Sequence, residues 1–105
     1  MSKPVYADYV NHMLRFYVRS RADGRDTRPT SFRSDRDRIN WTACHRVYTQ
    51  LLPAEQDVLN RVYLQNTLNL GEAIRTYCAE TSSEQNAVWN LLQDVSFRIA
   101  KERGL

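Results

Sequence analysis

Apolar residues return at spacings of three and four along most of this chain, and residues that start or stop helices bracket each run. Tyr6, Tyr9, Val10, Met13, Leu14 and Tyr17 form the first stripe. That is the period a helix needs to bury one face. Pro4 suits the start of such a helix because its ring fixes φ, so the spacing predicts a helix from about Val5 to Arg21. Phe16 and Val18 lie off the stripe and call for a second covering surface, from a neighbouring helix or another copy of the chain. A second helix is expected after Ser34 or Asp35, either of which supplies an N-cap, with Asp35 and Asp37 in the first turn where the helix dipole favours acids. Its predicted inner face is Ile39, Ala43, Val47, Tyr48 and Leu51, with Trp41 elsewhere on the wheel, and it stops before Pro53.

Three further helices follow. Pro53 fits a first helical position, Glu55 and Asp57 fall in the first turn, and Val58, Leu59, Val62 and Tyr63 supply the stripe. The pattern weakens at Gln65-Asn66-Thr67, which reads as a connection. Asn69 and Glu72 have capping-box spacing, and Leu70, Ala73, Ile74, Tyr77 and Cys78 make the inner face of a short fourth helix. Ser82 and Gln85 repeat that spacing ahead of Val88, Leu91, Leu92, Val95 and Ile99. The last two helices are therefore about four residues apart, as a tight helix-turn-helix requires. The expected fold is all-α: one small five-helix domain over residues 1–105, with a C-terminal helix-turn-helix over residues 52–103.

Composition agrees with helices. Three Gly and three Pro in 105 residues are too few for a turn-rich β protein, and a chain of this length builds one core. Met1-Ser2-Lys3-Pro4 leads into no apolar signal core, and no run approaches membrane-spanning length, so a cytoplasmic protein with no membrane partner is expected. Cys44 and Cys78 then read as reduced, buried small hydrophobes. With His12 and His45 they show no metal-ligand spacing, and no metal or other cofactor is expected. There is no nucleophile elbow and no Gly-rich phosphate loop, while His45 beside Cys44 on a helix reads as a partly buried polar residue. The chain is not expected to be an enzyme.

Charge changes the picture more. Residues 1–50 carry ten bases against five acids and residues 51–105 carry five against seven, which gives +5 and −2 and the net +3. Thirteen of the fifteen bases are Arg, whose planar fork suits phosphate and guanine edges. Residues 21–34 have no apolar period and contain Asp23-Gly24 and Arg28-Pro29, so they read as an Arg-rich loop or arm. Arg25, Arg28 and Arg33 are its candidates for phosphate contact. A solvated linker, partly neutralised by Asp23 and Asp26, is the competing reading.

Leu52-Pro53-Ala54-Glu55-Gln56-Asp57-Val58-Leu59, then Tyr63, Glu72-Ala73-Ile74, Ser82 or Ser83, and Val88 resemble region four of bacterial sigma factors. The likeness is closer to the small phage late-gene regulators of the ArpU and RinA type. It covers about residues 47–100, and its motifs are degenerate. The resemblance implies a transcription regulator of phage or mobile-element origin that reads double-stranded promoter DNA at the start of its last helix. By position the reading residues are Ser82, Ser83, Gln85, Asn86 and Asn90. RNA polymerase and a second copy of the chain are further candidate partners. Two features depart from the pattern: the turn Cys78-Ala79-Glu80-Thr81 has no Gly, and no Arg or Lys precedes Arg98 in the last helix. A helical interaction protein, such as a phage assembly or packaging component, is the alternative.

The cysteine reading has a direct check. With both thiols reduced, the thermal midpoint should be the same with and without reductant, and a large drop on adding it would reveal a native disulfide.

Overall fold

The computed structural model describes residues 5–22 and 34–105. It has five helices, α1 Ala7–Ala22, α2 Asp35–Tyr48, α3 Pro53–Tyr63, α4 Leu70–Thr81 and α5 Gln85–Arg103, with no strand among the described residues. Pro4 and the 21–34 arm, apart from its flanking residues, lie outside the described residues.

Helix starts follow local chemistry. Ser34 Oγ accepts from the Asp37 amide at 3.2 Å and caps α2. Asn69 Oδ1 accepts from the Glu72 amide at 2.9 Å and caps α4. Asn69's own amide donates to Thr67 Oγ1 at 3.1 Å, so that cap is completed by Thr67. At α3, Pro53 takes the first helical position and Glu55 Oε1 accepts from the Leu52 amide at 2.9 Å.

One hydrophobic cluster draws on all five helices. Val10, Leu14, Tyr17 and Val18 from α1 meet Cys44 and Val47 from α2, Leu59 and Val62 from α3, Ile74 from α4, and Val95 and Ile99 from α5, all nearly inaccessible to solvent. Helix α5 touches each of the other four and packs most extensively on α2. Val18 is therefore covered within the chain, while Phe16 and Tyr9 are partly exposed. The α2 wheel departs from expectation: Ile39 is exposed and Trp41 is buried. The face α2 turns inward is set by α1 and α5 on either side, and it runs through Trp41, Cys44, Tyr48 and Leu51 rather than through Ile39.

Trp41 is turned inward by an aromatic seam between α1 and α2. The Tyr17 ring lies 5.2 Å from Trp41 and 5.4 Å from Tyr48, and Trp41 stacks on His45 at 4.6 Å. Such tilted and edge contacts add to area burial. Burial raises the Tyr17 pKa, and its hydroxyl is hydrogen-bonded with His45 Nδ1 at 2.8 Å. The Arg21 guanidinium covers the Tyr17 and Tyr48 rings at 5.5 and 4.9 Å.

Three arginine and glutamine side chains tie down the α3–α4 connection. Arg15 donates to the Thr67 carbonyl at 2.8 Å, Arg19 to the Gln65 carbonyl at 2.8 Å, and the Gln65 amide group to the Ala73 carbonyl at 2.7 Å. Cys44 and Cys78 are buried and unpaired, and burial pushes the Cys44 thiol up to about 12.

His45 links the seam to pH. Burial first, and the Arg21 charge second, lower its pKa below the ordinary 6.5. The unfolded chain then takes up the proton more readily, so His45 contributes stability that is present above the ordinary value and lost as pH falls through it toward the folded value. The thermal midpoint should drop between pH 7.5 and 5.5, and His45→Gln should flatten that slope. An unchanged slope in the variant would remove His45 as the cause.

Candidate nucleic-acid interface

The last two helices meet in a three-residue turn. Helix α4 is capped at its C-terminus by Ser82, which adopts the left-handed conformation with φ 58° and ψ 30°. The amides of Ser82 and Ser83 both reach back to the Cys78 carbonyl. Thr81 Oγ1 donates to the Tyr77 carbonyl at 2.8 Å and lies 2.7 Å from Ser83 Oγ. The turn that lacks Gly is made by Ser in the conformation Gly would favour, pinned by the neighbouring hydroxyls.

This geometry corrects the start of the last helix. Ser82 closes α4 and so cannot cap α5; the N-cap is Glu84, with no side-chain hydrogen bond, and the expected Ser82–Gln85 capping box does not form. Of the five residues expected to read DNA, Ser83 is half-buried and bonded into the turn, and Ser82 is the exposed cap. Gln85, Asn86 and Asn90 are exposed on α5.

The outward face of α5 is continuous. At the helical period of about 100° per residue, Asn86, Asn90, Gln93 and Phe97 fall on one strip, and Val88, Leu92, Val95 and Ile99 lie opposite it in the core. Amide side chains in this arrangement can offer a paired donor and acceptor to an adenine edge. Phe97 is more than half exposed and ends the strip with an apolar side chain.

Charge beside this strip is mostly matched. Arg61 lies between Asp57 at 3.8 Å and Glu80 at 3.9 Å, over the Tyr77 ring. Arg98 pairs with Asp94 at 3.8 Å and donates to Gln50 at 2.9 Å. In the front half, Arg38 pairs with Asp35, and Arg46 with Glu102 at 3.5 Å. Arg15 and Arg19 are used on backbone carbonyls, as described above. Of the described arginines in residues 1–50, Arg15, Arg19, Arg21, Arg38 and Arg46 thus make contacts within the fold, while Arg36 is exposed on α2. Arg25, Arg28 and Arg33 lie outside the described residues. Arg75 was missed by sequence reasoning: it is exposed on α4, and both its guanidinium and the Trp89 ring adjoin Gly71, which brings a cation beside the first turns of α5. No periodicity rule marks such a residue, since its placement depends on how α4 packs on α5.

Among the described residues no group of three or more His, Cys, Asp or Glu side chains is placed to hold a metal ion, and none of the helices is long and apolar enough to cross a membrane. His12 is exposed on α1, whereas His45 is bonded to Tyr17, so the two histidines do not share a site. No protein-family model, curated protein or solved structure matches the chain.

Ser82 is the local weak point of the turn. A side chain in the left-handed region costs about 1 kcal/mol or more, while Gly adds freedom to the unfolded chain. Ser82→Gly should gain a net 0.5 kcal/mol or so in urea unfolding, and Ser82→Val should lose about 1 kcal/mol. Destabilisation by glycine would mean that the Ser82 side chain holds the turn.

Proposed function

We propose that this protein is a sequence-specific DNA-binding transcriptional regulator of phage or mobile-element origin, in which α4 and α5 act as a helix-turn-helix and α5 enters the major groove. The observation that carries this reading is the group of exposed amides that begins immediately after a tight turn, Gln85 at the first position of α5 and Asn86 and Asn90 on its outward strip, on a helix whose other face is locked into the core. In such units the first turns of the second helix contact base edges. Base contacts specify, but phosphate contacts supply most of the affinity. Arg75, at the flank of α5, is one phosphate partner, and Arg25, Arg28 and Arg33 of the arm are the others; RNA polymerase is the second partner this reading offers at a promoter.

A helical protein-interaction module, such as a phage assembly or packaging component, is the second reading. Its support is Phe97, exposed on the same strip as the amides, together with the ion pairing of Arg61 and Arg98. Protein interfaces favour aromatic anchors and deplete charge at their centre.

Gel-shift titration against a selected site at two salt concentrations separates the two. Replacing Gln85 or Asn86 by Ala should lose about 1 to 3 kcal/mol of specific binding and relax preference at particular base pairs. Replacing Arg25, Arg28, Arg33 or Arg75 by Ala should weaken binding to all sequences and flatten the salt slope by about 1 per contact. Absence of DNA binding at low salt would transfer the strip to protein contact.

A further inference from the structure

Several Asn and Gln side chains are spent on the fold. Gln56 donates to the Tyr48 carbonyl at 2.8 Å, Asn60 to the Tyr48 hydroxyl at 3.0 Å and Gln65 to the Ala73 carbonyl at 2.7 Å. The outward strip of α5 differs. Asn86, Asn90 and Gln93 are exposed, and their amide groups make no side-chain hydrogen bond among the described residues. Gln93 also lines a cleft of about 620 Å³ between the start of α1, the α3–α4 connection and the first half of α5, so it stands on the side of the strip toward that cleft. Phe97 follows on the same strip, 55% exposed.

The chemistry of the strip is selective among base pairs. An amide donates to adenine N7 while accepting from its N6 amino group, and an apolar side chain meets the thymine methyl. Guanine offers two acceptors, N7 and O6, which suit Arg or Lys; the oxygen of an amide would face one of them. No Arg or Lys stands between Gln85 and Phe97. Arg98 is held by Asp94 at 3.8 Å and by Gln50 at 2.9 Å, and Lys101 lies fifteen residues beyond Asn86, about 22 Å along the helix. Asp94 borders the strip and has the acceptor chemistry for cytosine, but it faces Arg98.

We infer that α5 reads a short run of A·T pairs in the major groove, with Asn86 and Asn90 on adenine edges and Phe97 against a thymine methyl. This inference rests on the DNA-binding reading and adds which bases are read and through which groove. From Asn86 to Phe97 the strip extends about 16 Å, the length of about five base pairs.

The test starts from selection of duplexes by the full chain from a randomised library at low salt, followed by titration of the selected duplex carrying modified bases. The selected core should be A·T. Replacing its A·T pairs by inosine·cytosine pairs, which keep the minor-groove pattern of A·T but present that of G·C in the major groove, should reduce binding about tenfold or more. At one core adenine 7-deazaadenine, which lacks the N7 acceptor, should cost the parent about fivefold, and Asn86→Ala or Asn90→Ala should lose that sensitivity. Uracil for thymine removes the methyl and should cost about fourfold in the parent but nothing in Phe97→Ala. These three residues are exposed, so the variants keep the core. A G·C core, or 7-deazaadenine and uracil effects that are absent or persist undiminished in every variant, would overturn the inference while leaving DNA binding in place. Full binding to the inosine·cytosine duplex would overturn it too, by moving recognition to the minor groove. No duplex bound at low salt would overturn both the inference and the reading beneath it.

Discussion

Helix α5 can turn only one face inward, and the rest of the molecule is arranged around that constraint. Val88, Leu92, Val95 and Ile99 lie on one side of the helix, and the other four helices all touch it. Rotating α5 by one residue would swing that stripe through about 100° and expose several large side chains, each worth about 1.5 to 3 kcal/mol of burial. The orientation of Asn86, Asn90 and Gln93 is therefore a consequence of packing on the opposite side. A surface strip positioned in this way needs no contacts of its own to be held, which leaves its side chains available for a partner.

Electrostatics works in the other direction. A net charge of +3 invites a picture of a basic face, yet the described arginines do varied work inside the fold. Arg15 and Arg19 satisfy carbonyls of the α3–α4 connection, Arg21 covers tyrosine rings, and Arg61 and Arg98 sit between acids and helices. Exposed ion pairs add little stability each. Their larger effect is on the surface field: an arginine already facing a carboxylate releases fewer counterions from a nucleic acid than a lone one. A DNA-binding role consequently draws on exposed arginines such as Arg36 and Arg75 and on the arginines of the arm.

The helices were legible in the sequence because their signals are local. The caps at Ser34 and Asn69, Pro53 at a helix start, and the stripes of α3 and α4 act within a few residues, and the all-α architecture follows from them. What failed depended on neighbours. Ile39 matched the α2 period but is exposed, because Tyr17 and His45 draw Trp41 inward. The serine pair was read as the start of α5, whereas backbone bonds to Cys78 make Ser82 the end of α4. A Ser before an amphipathic run has the composition of a cap in either role, and only the sign of φ distinguishes them. Of the candidate site, the exposed amides of α5 were legible; Arg75, the partners of the arginines and the cleft were not, since each arises where distant segments meet.

Two places where local preference is overruled lie beside the same stretch of α5. Ser82 occupies the left-handed region just before it, and Asn11, which lines the cleft with Trp89 and Gln93, has its Oδ1 buried without a partner. Neither is required for the core, which is apolar and closes through Leu59, Ile74, Val95 and Ile99. The first is a backbone conformation that glycine adopts more readily, and the second is a buried acceptor without a partner. Such departures concentrate where a protein meets a partner, because a group poised for an external contact is unsatisfied without it. Trp89 and Asn90 are consecutive on α5, one facing the cleft and the other the outward strip. Trp89, Asn90 and Gln93 thus join the cleft wall and the outward strip within little more than one turn of α5.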